Sequence, residues 1–365
     1  MKVLIAPDSF KESLSAKGVA DALAKGIKQV APETELYCLP LADGGEGTRE
    51  VLSEQLGLVT EELILMGPLG EECLFPYGRR GNLAFLELAE LLGLALIPED
   101  KRDPLRLSSY GLGQAILTLI EKGIKEIIIA IGGTAIHDGG IGLAAGLGYR
   151  FYDEEGQLLE PMGASLGKIA TMRAPVNRPW DMISIQCLTD VTNPMTGPQG
   201  ATYIFAGQKG LDQASFASVD RDFAHFYQLV NAEVMDQPGA GAGGGLAGGL
   251  MTFAGAVLSP GIDRILDLLH FDEMAADVDL VIVGEGKLDA QSLAGKVPIG
   301  VARRTPRGIP LLAVCGRLDM DLPFENIEVA YEIMARAQNL DDAMKYAKSY
   351  LEEIGKDLAM EVLTK

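Results

Sequence analysis

The segment KEIIIAIGGTAIHDGGIGLAAGLG, residues 125–148, constrains the fold of this chain more than any other. Ile127 to Ile131 is an apolar run rich in β-branched residues, the pattern of a strand buried on both faces. Ile141 to Leu147 consists of small residues and leucines, the pattern of a helix packed closely on that strand. Between them stand Gly132, Gly133, Thr134, His137, Asp138, Gly139 and Gly140. Glycines at a strand-to-helix turn let backbone N–H groups approach an anion, and the helix N-terminus adds a positive dipole end. A carboxylate in that turn repels a bare phosphate, so Asp138 reads as a hydroxyl acceptor, a loop brace or a metal partner. The plainer alternative is an Asp capping the helix, with glycines that only make the turn.

Three further segments repeat the design: PLADGGEGT at 40–48, LTDVTNPMTGPQGA at 188–201 and VGEGKLDAQSLAGK at 283–296. Each follows an apolar run and sets Asp or Glu beside Gly. Four such loops in one chain predict carboxylates from several strand ends converging on one cleft, as at the carboxyl ends of strands in open α/β sheets.

A chain of 365 residues exceeds what one hydrophobic core usually serves, so two domains are expected. The net charge of −20 argues against a nucleic-acid or anionic-membrane partner, since either needs a basic surface. Cys38, Cys73, Cys187 and Cys315 show no paired spacing, and MKVLIAPDSF reads as a strand with its loop rather than an export signal. A cytoplasmic protein is expected. The longest apolar stretch, 243–258, is too short and glycine-rich to span a bilayer.

In chain order, Val3 to Ala6 reads as a strand, and Ser15 as the N-cap of a helix to about Val30. Strands follow at Thr34 to Leu39 and Val59 to Leu65, with a helix between them to about Leu56. This βαβαβ order implies a parallel sheet with right-handed crossovers. From Gly67 the composition shifts to Gly, Pro and charged turns, and regular βα alternation returns at Leu280 to Val283, Pro298 to Arg304, Leu311 to Val314 and Val329 to Tyr331. The expected architecture is α/β: a doubly wound, Rossmann-like parallel sheet formed by both chain ends (1–66 and 277–365), with a second α/β domain (67–276) inserted.

Two motif matches lack their context. Gly239, Gly241 and Gly244 satisfy G-x-G-x-x-G, but a helical pattern precedes them instead of a strand, which favours a close-packed helix start or an anion-binding turn. Gly163 to Gly167 satisfies G-x-S-x-G, yet Pro161 and Met162 precede it where a nucleophile elbow needs a strand. None of His137, His225 and His270 pairs with Cys or another His at zinc-ligand spacing. What remains is carboxylates, glycines and the lysines Lys11, Lys209, Lys287 and Lys296. Phosphoryl transfer from a nucleotide asks for this inventory: oxygen ligands for Mg²⁺, amides and ammonium groups for phosphate charge, and a carboxylate to orient or deprotonate the acceptor hydroxyl.

The motifs APDSFKESLSA, LADGGEGT, LALIPEDKRDPLRLSSYGLGQAI, GGTAIHDGGIG, TDVTNPMTGPQGAT, FAGQKG, PGAGAGGGLAGG and VGEGKLDAQSLAGKVPIGVA, in this order, resemble the bacterial-type glycerate kinases along essentially the whole chain. The resemblance implies ATP-dependent phosphorylation of D-glycerate, often giving 2-phosphoglycerate and otherwise the 3-isomer, by a two-domain α/β enzyme. It implies ATP, Mg²⁺ and D-glycerate as ligands, and a homodimer is compatible with it.

Motif by motif, it marks Asp8, Ser9 and Lys11, then Asp43 and Glu46, then Asp138, then Asp190 and Asn193, and finally Glu285, Asp289 and Lys296. On this reading phosphates lie over glycine loops that include Gly44, Gly45, Gly132, Gly133, Gly284 and Gly286, beside Thr134 and His137. Lys296 or Lys11 offsets developing charge, Asp190 with Glu285 or Asp289 holds the metal, and Asp43 meets the glycerate hydroxyl. The chain departs from the family pattern at Glu12, where Gly is usual, at Thr189 and Thr192, and at Ile136-His137, where Thr-Asn is usual. His137 as a neutral hydrogen-bond donor is preferred over an imidazolium, because burial and a helix N-terminus both disfavour the cation. A two-domain solute-binding protein and a nicotinamide-dependent hydroxy-acid dehydrogenase are the rival readings. The first gives no reason for clustered carboxylates, and the second finds its glycine fingerprint in the wrong context.

Overall fold

The alternation of apolar runs with glycine-rich turns resolves into two principal sheets. The computed structural model describes residues 1–45, 47–289 and 296–363. One unit comprises Met1–Asp43, Glu50–Leu56 and Pro260–Lys365, and the other Gly44–Arg49 and Gly57–Ser259. Glu46 lies outside the described residues.

The chain opens with β1 (Lys2–Pro7), α1 (Ala16–Val30), β2 (Glu35–Cys38) and α2 (Thr48–Leu56). Ser15 caps α1 as expected, its side chain accepting from the Gly18 N–H. The second unit then contributes β3 (Val59–Met66), β4 (Glu72–Arg80), β5 (Leu83–Glu87), α3 (Ala89–Leu92), α4 (Tyr110–Glu121), β6 (Glu126–Ala130) and α5 (Ile141–Gly146). It continues with β7 (Arg150–Tyr152), β8 (Thr171–Arg173), β9 (Ser184–Leu188), α6 (Phe216–Val230), α7 (Leu246–Ala254) and β10 (Val257–Ser259). The first unit is completed by α8 (Gly261–Leu268), α9 (Phe271–Ala275), β11 (Leu280–Asp289), α10 (Val297–Arg304), β12 (Leu311–Asp319), β13 (Ile327–Glu332), α11 (Leu340–Lys345) and α12 (Ala347–Leu358).

Among the described residues the first unit holds a five-stranded sheet in the order β13-β12-β11-β1-β2, parallel throughout. Alternate strand residues Val3, Ile5, Ile282 and Val314 join Leu23, Leu351 and Ile354 of α1 and α12 in one core. Helix α10 packs against β1 and β11, beside α8. Both chain ends therefore build one doubly wound sheet. In the second unit the order is β10-β9-β6-β5-β4-β3, with β10, β9, β6 and β5 parallel and β4 and β3 antiparallel. Strand β6, the run that opens the 125–148 segment, is interior and nearly wholly buried, and α5 follows it as predicted.

Two expectations change. Val59 to Leu65 is not a third strand of the first sheet: β3 pairs antiparallel with β4 at the edge of the second. Its burial alternates, with Val59, Thr60, Glu62 and Ile64 exposed, and the connection to β4 is far too short for a crossover helix. The chain thus passes between units at Asp43/Gly44, Arg49/Glu50, Leu56/Gly57 and Ser259/Pro260, where the sequence suggested crossings after Met66 and Ala276. The segment from Gly284 to Asp289 is also strand and not loop, because Lys287, Leu288 and Asp289 stay in register with Arg317, Leu318 and Asp319 of β12.

Candidate active site

In the first unit, the loop after β1 folds back on β11. The Asp8 N–H donates to the Gly284 carbonyl at 2.8 Å, extending the sheet's pairing by one bond. Strands β11 and β12 approach so closely here that a Cβ on Gly316 would stand 2.4 Å from the Gly286 carbonyl oxygen, so only glycine fits. These elements enclose a cavity of about 350 Å³. One end is charged, walled by Asp8, Lys11, Asp43, Glu285 and Lys296, with Ser9 and Gly286 beside them.

The electrostatics of that end are tightly coupled. Burial, reinforced by Asp43 and Glu285, pushes the Asp8 carboxyl up to about 7, against the opposing pull of the Ser9 N–H and Lys11. The Ser9 N–H donates to Asp8 Oδ1 at 2.6 Å. Lys296 Nζ donates to Glu285 Oε1 at 2.7 Å. Burial works against the Lys296 charge, but Glu285, Asp289 and Asp43 hold its ammonium above the ordinary lysine value. Lys287 also lines the cavity, half-exposed and paired with Asp289 at 2.9 Å and Asp319 at 3.2 Å.

In the second unit, Gly44, Gly45, Gly132, Gly133, Thr134 and Asp190 gather toward the carboxyl ends of the parallel strands. A Cβ on Gly132 would stand 3.3 Å from the Gly45 Cα. The residue that arranges this corner is Glu87, the last of β5 and nearly fully buried. Its carboxylate accepts from the Gly47 N–H at 2.7 Å and the Arg49 N–H at 2.8 Å. Arg49 in turn forms a bidentate pair with Glu90, both contacts at 2.7 Å. Sequence reading passed over Glu87; the signal was a charged residue inside the apolar run LAFLELAELL. Asp190 stands half-buried past β9, and Asn193 braces its own loop through Nδ2 to the Gln199 carbonyl at 2.8 Å.

His137 and Asp138 are corrections. Both are fully buried. The Asp138 carboxylate takes four donors from its own surroundings: Ser109 N–H and Oγ, Gly140 N–H and Gly142 N–H. It is a brace for the loop, not a group presented to a ligand. His137 Nε2 meets Thr202 Oγ1 at 3.0 Å, and the ring lies 4.7 Å from that of Phe223. Burial first, then Lys209, drives its pKa well below the ordinary value, so the neutral form expected from the sequence holds, but its partner is Thr202. Lys209 is buried too, donating to the Ile136 carbonyl at 2.8 Å. The glycine run at 239–249 is a packing device: Gly249 of α7 lies against Gly140, where a Cβ would come within 2.6 Å of the Cα.

The expected metal ligands Asp190, Glu285 and Asp289 are divided between the two units. Glu285 and Asp289 lie four residues apart on β11, and both act on the Lys296 ammonium. Asp190 belongs to the other unit. Among the described residues no three His, Cys, Asp or Glu side chains are grouped to hold a metal.

A parallel α/β fold whose strand-end cavity sets carboxylates against lysines has the inventory that phosphoryl transfer requires. The chain belongs to the glycerate kinase family, whose model matches residues 3–363. It is 49% identical over 364 residues to a glycerate kinase of Neisseria meningitidis serogroup B, covering 98% of each chain. It is 38% identical over 360 residues to the glycerate 2-kinase of Escherichia coli K12, covering 95% of this chain and 94% of that one. A crystal structure from Salmonella typhimurium LT2, assigned as glycerate kinase 2, superposes with a TM-score of 0.86 at 36% identity, covering 100% of this chain and 98% of that one. The protein is thus an ATP-dependent kinase with an alcohol acceptor. Among the described residues no helix is long and apolar enough to cross a membrane.

Proposed function

We propose that the protein transfers the γ-phosphoryl group of Mg-ATP to the 2-hydroxyl of D-glycerate, giving ADP and 2-phosphoglycerate. The observation that carries this reading is one cavity in which Asp8, Asp43 and Glu285 stand with Lys11 and Lys296. Asp43 accepts the proton of the attacking hydroxyl, while Lys11 and Lys296 offset charge on the phosphoryl oxygens. The 2-hydroxyl is favoured by the Escherichia coli relative, a glycerate 2-kinase.

Mg²⁺ fits the donor chemistry of this end. Magnesium takes oxygen ligands, keeps several waters and needs only one or two carboxylates besides substrate phosphates. Asp8, whose carboxyl is pushed to about 7 by burial and by its acidic neighbours, is the group a divalent cation would relieve, and Glu285 adjoins it. When bound, the ion would neutralise charge on the phosphate oxygens. The four free cysteines and acidic composition suit a cytoplasmic enzyme.

Incubating the protein with Mg-ATP and D-glycerate and following the product by phosphorus NMR tests the assignment. Formation of 2-phosphoglycerate, abolished by EDTA, is expected. Exclusive 3-phosphoglycerate overturns the choice of hydroxyl, and absence of any D-glycerate-dependent ADP overturns the substrate.

A further inference from the structure

The charged end of the first unit's cavity is absorbed by the chemistry above, but the opposite end is not. It is walled by Ile333, Met334, Leu340, Ala343 and Met344. Ile333 and Met334 follow β13, held by N–H bonds to the Cys315 and Gly316 carbonyls. Leu340 opens α11, and Ala343 and Met344 lie one turn further on. The two ends are tied into one wall where Ser13 Oγ donates to the Met344 carbonyl at 2.8 Å, joining the loop of Asp8 and Lys11 to α11.

Resting on the kinase reading, we infer that this apolar end seats the purine base of the nucleotide, with its phosphates directed toward Lys11 and Lys296. The two substrates differ in what they can bury. D-glycerate has three carbons carrying a carboxylate and two hydroxyls, and placing it against Met, Leu and Ile would strip polar groups of water without partners. A nucleoside triphosphate has a flat apolar face at one end and dense negative charge at the other. That polarity matches the cavity end for end. Thioether sulfur at Met334 and Met344 suits an aromatic ring. Leu340 is 59% exposed, a large apolar side chain at the rim that a bound base would cover.

The test uses two variants of the full-length protein. Leu340→Ser removes the rim contact at an exposed position, and Ala343→Phe fills the apolar end. Each should raise KM for ATP and Kd for ADP by about tenfold, equivalent to about 1.4 kcal/mol. The KM for D-glycerate and the inhibition constant of inorganic tripolyphosphate, which lacks a base, should stay within about twofold. A rise in the D-glycerate KM with unchanged ATP KM would assign this end to the acceptor and overturn the proposal. Equal rises for ATP and tripolyphosphate, or no change with Leu340→Ser, overturn it as well. Calorimetric ADP binding needs no turnover, so it reads the base seat even if D-glycerate proves the wrong acceptor. Should Ala343→Phe fail to fold by circular dichroism, Leu340→Ser decides alone.

Discussion

Replacing Asp138 with Asn separates a structural carboxylate from a ligand-binding one. Oδ2 accepts from Ser109 N–H at 2.8 Å, Ser109 Oγ at 2.7 Å and Gly142 N–H at 3.3 Å, while Oδ1 accepts from Gly140 N–H at 2.9 Å. Burial raises the carboxyl pKa, and these four donors pull it back down. An Asn side chain has one oxygen, best placed at the Oδ2 position, so its amide would face the Gly140 N–H donor to donor. The lost charge-assisted bond costs about 1.5–3 kcal/mol, and three remaining bonds weaken by roughly 0.5–1 kcal/mol each. Relief from burying a charge offsets part of this, leaving a net loss of about 2–4 kcal/mol. Trp180 is the only tryptophan, is buried, and lies in the same unit, so its fluorescence reports this unit's unfolding. With a urea m-value of about 3 kcal/mol/M, the midpoint should fall by roughly 1 M. The kcat of the folded variant should stay within a few-fold of the parent. An unchanged midpoint with kcat lowered by about a hundredfold would refute the bracing role and return Asp138 to the ligand.

Glu12 adopts φ +62, the left-handed region, in the loop that lines the cavity. Glu12→Gly should relieve about 1 kcal/mol of strain, partly offset by backbone entropy, and raise the first unit's melting temperature by a few degrees; a lower melting temperature counts against strain at this position. Lys209 is drawn down to about 7 by burial, opposed by Asp138, against roughly 10.4 in an unfolded chain. Between about pH 7 and 10 the unfolded chain therefore holds a proton the folded one lacks, so stability rises with pH through this window, by up to about 1.4 kcal/mol per pH unit. Below it both states are protonated and the dependence vanishes. Lys209→Met should abolish the rise, seen as a shrinking gain in the Trp180 urea midpoint of parent over variant when pH is lowered from 9 to 6.5. Parallel midpoints across that range would show that Lys209 stays charged in the fold.

Much of this was readable from the chain alone because its signals are local. Buried strands declare themselves by β-branched runs, as at Ile127 to Ile131, and helix starts by caps such as Ser15. Repeated carboxylate–glycine turns after apolar runs marked the loops of Asp43, Asp138, Asp190 and Glu285, and the order of the motifs carried the family. Tertiary structure decided everything that depends on which distant segment lies opposite. The apolar run with two glutamates at 59–66 was equally suited to either sheet, and only the short return to β4 made it the edge strand of the second. Register with β12 carried β11 on to Asp289 and so placed Glu285 and Asp289 on one strand instead of in a loop. Asp138 beside glycines looks the same whether its oxygens meet a ligand or its own backbone; burial and four donors decided for the backbone. Ser13 and Met344, 331 positions apart, come together only because both chain ends build one sheet. Local propensity follows from a residue's own stereochemistry, whereas burial, charge coupling and a cavity with one charged and one apolar end exist only once remote strands have excluded water between them.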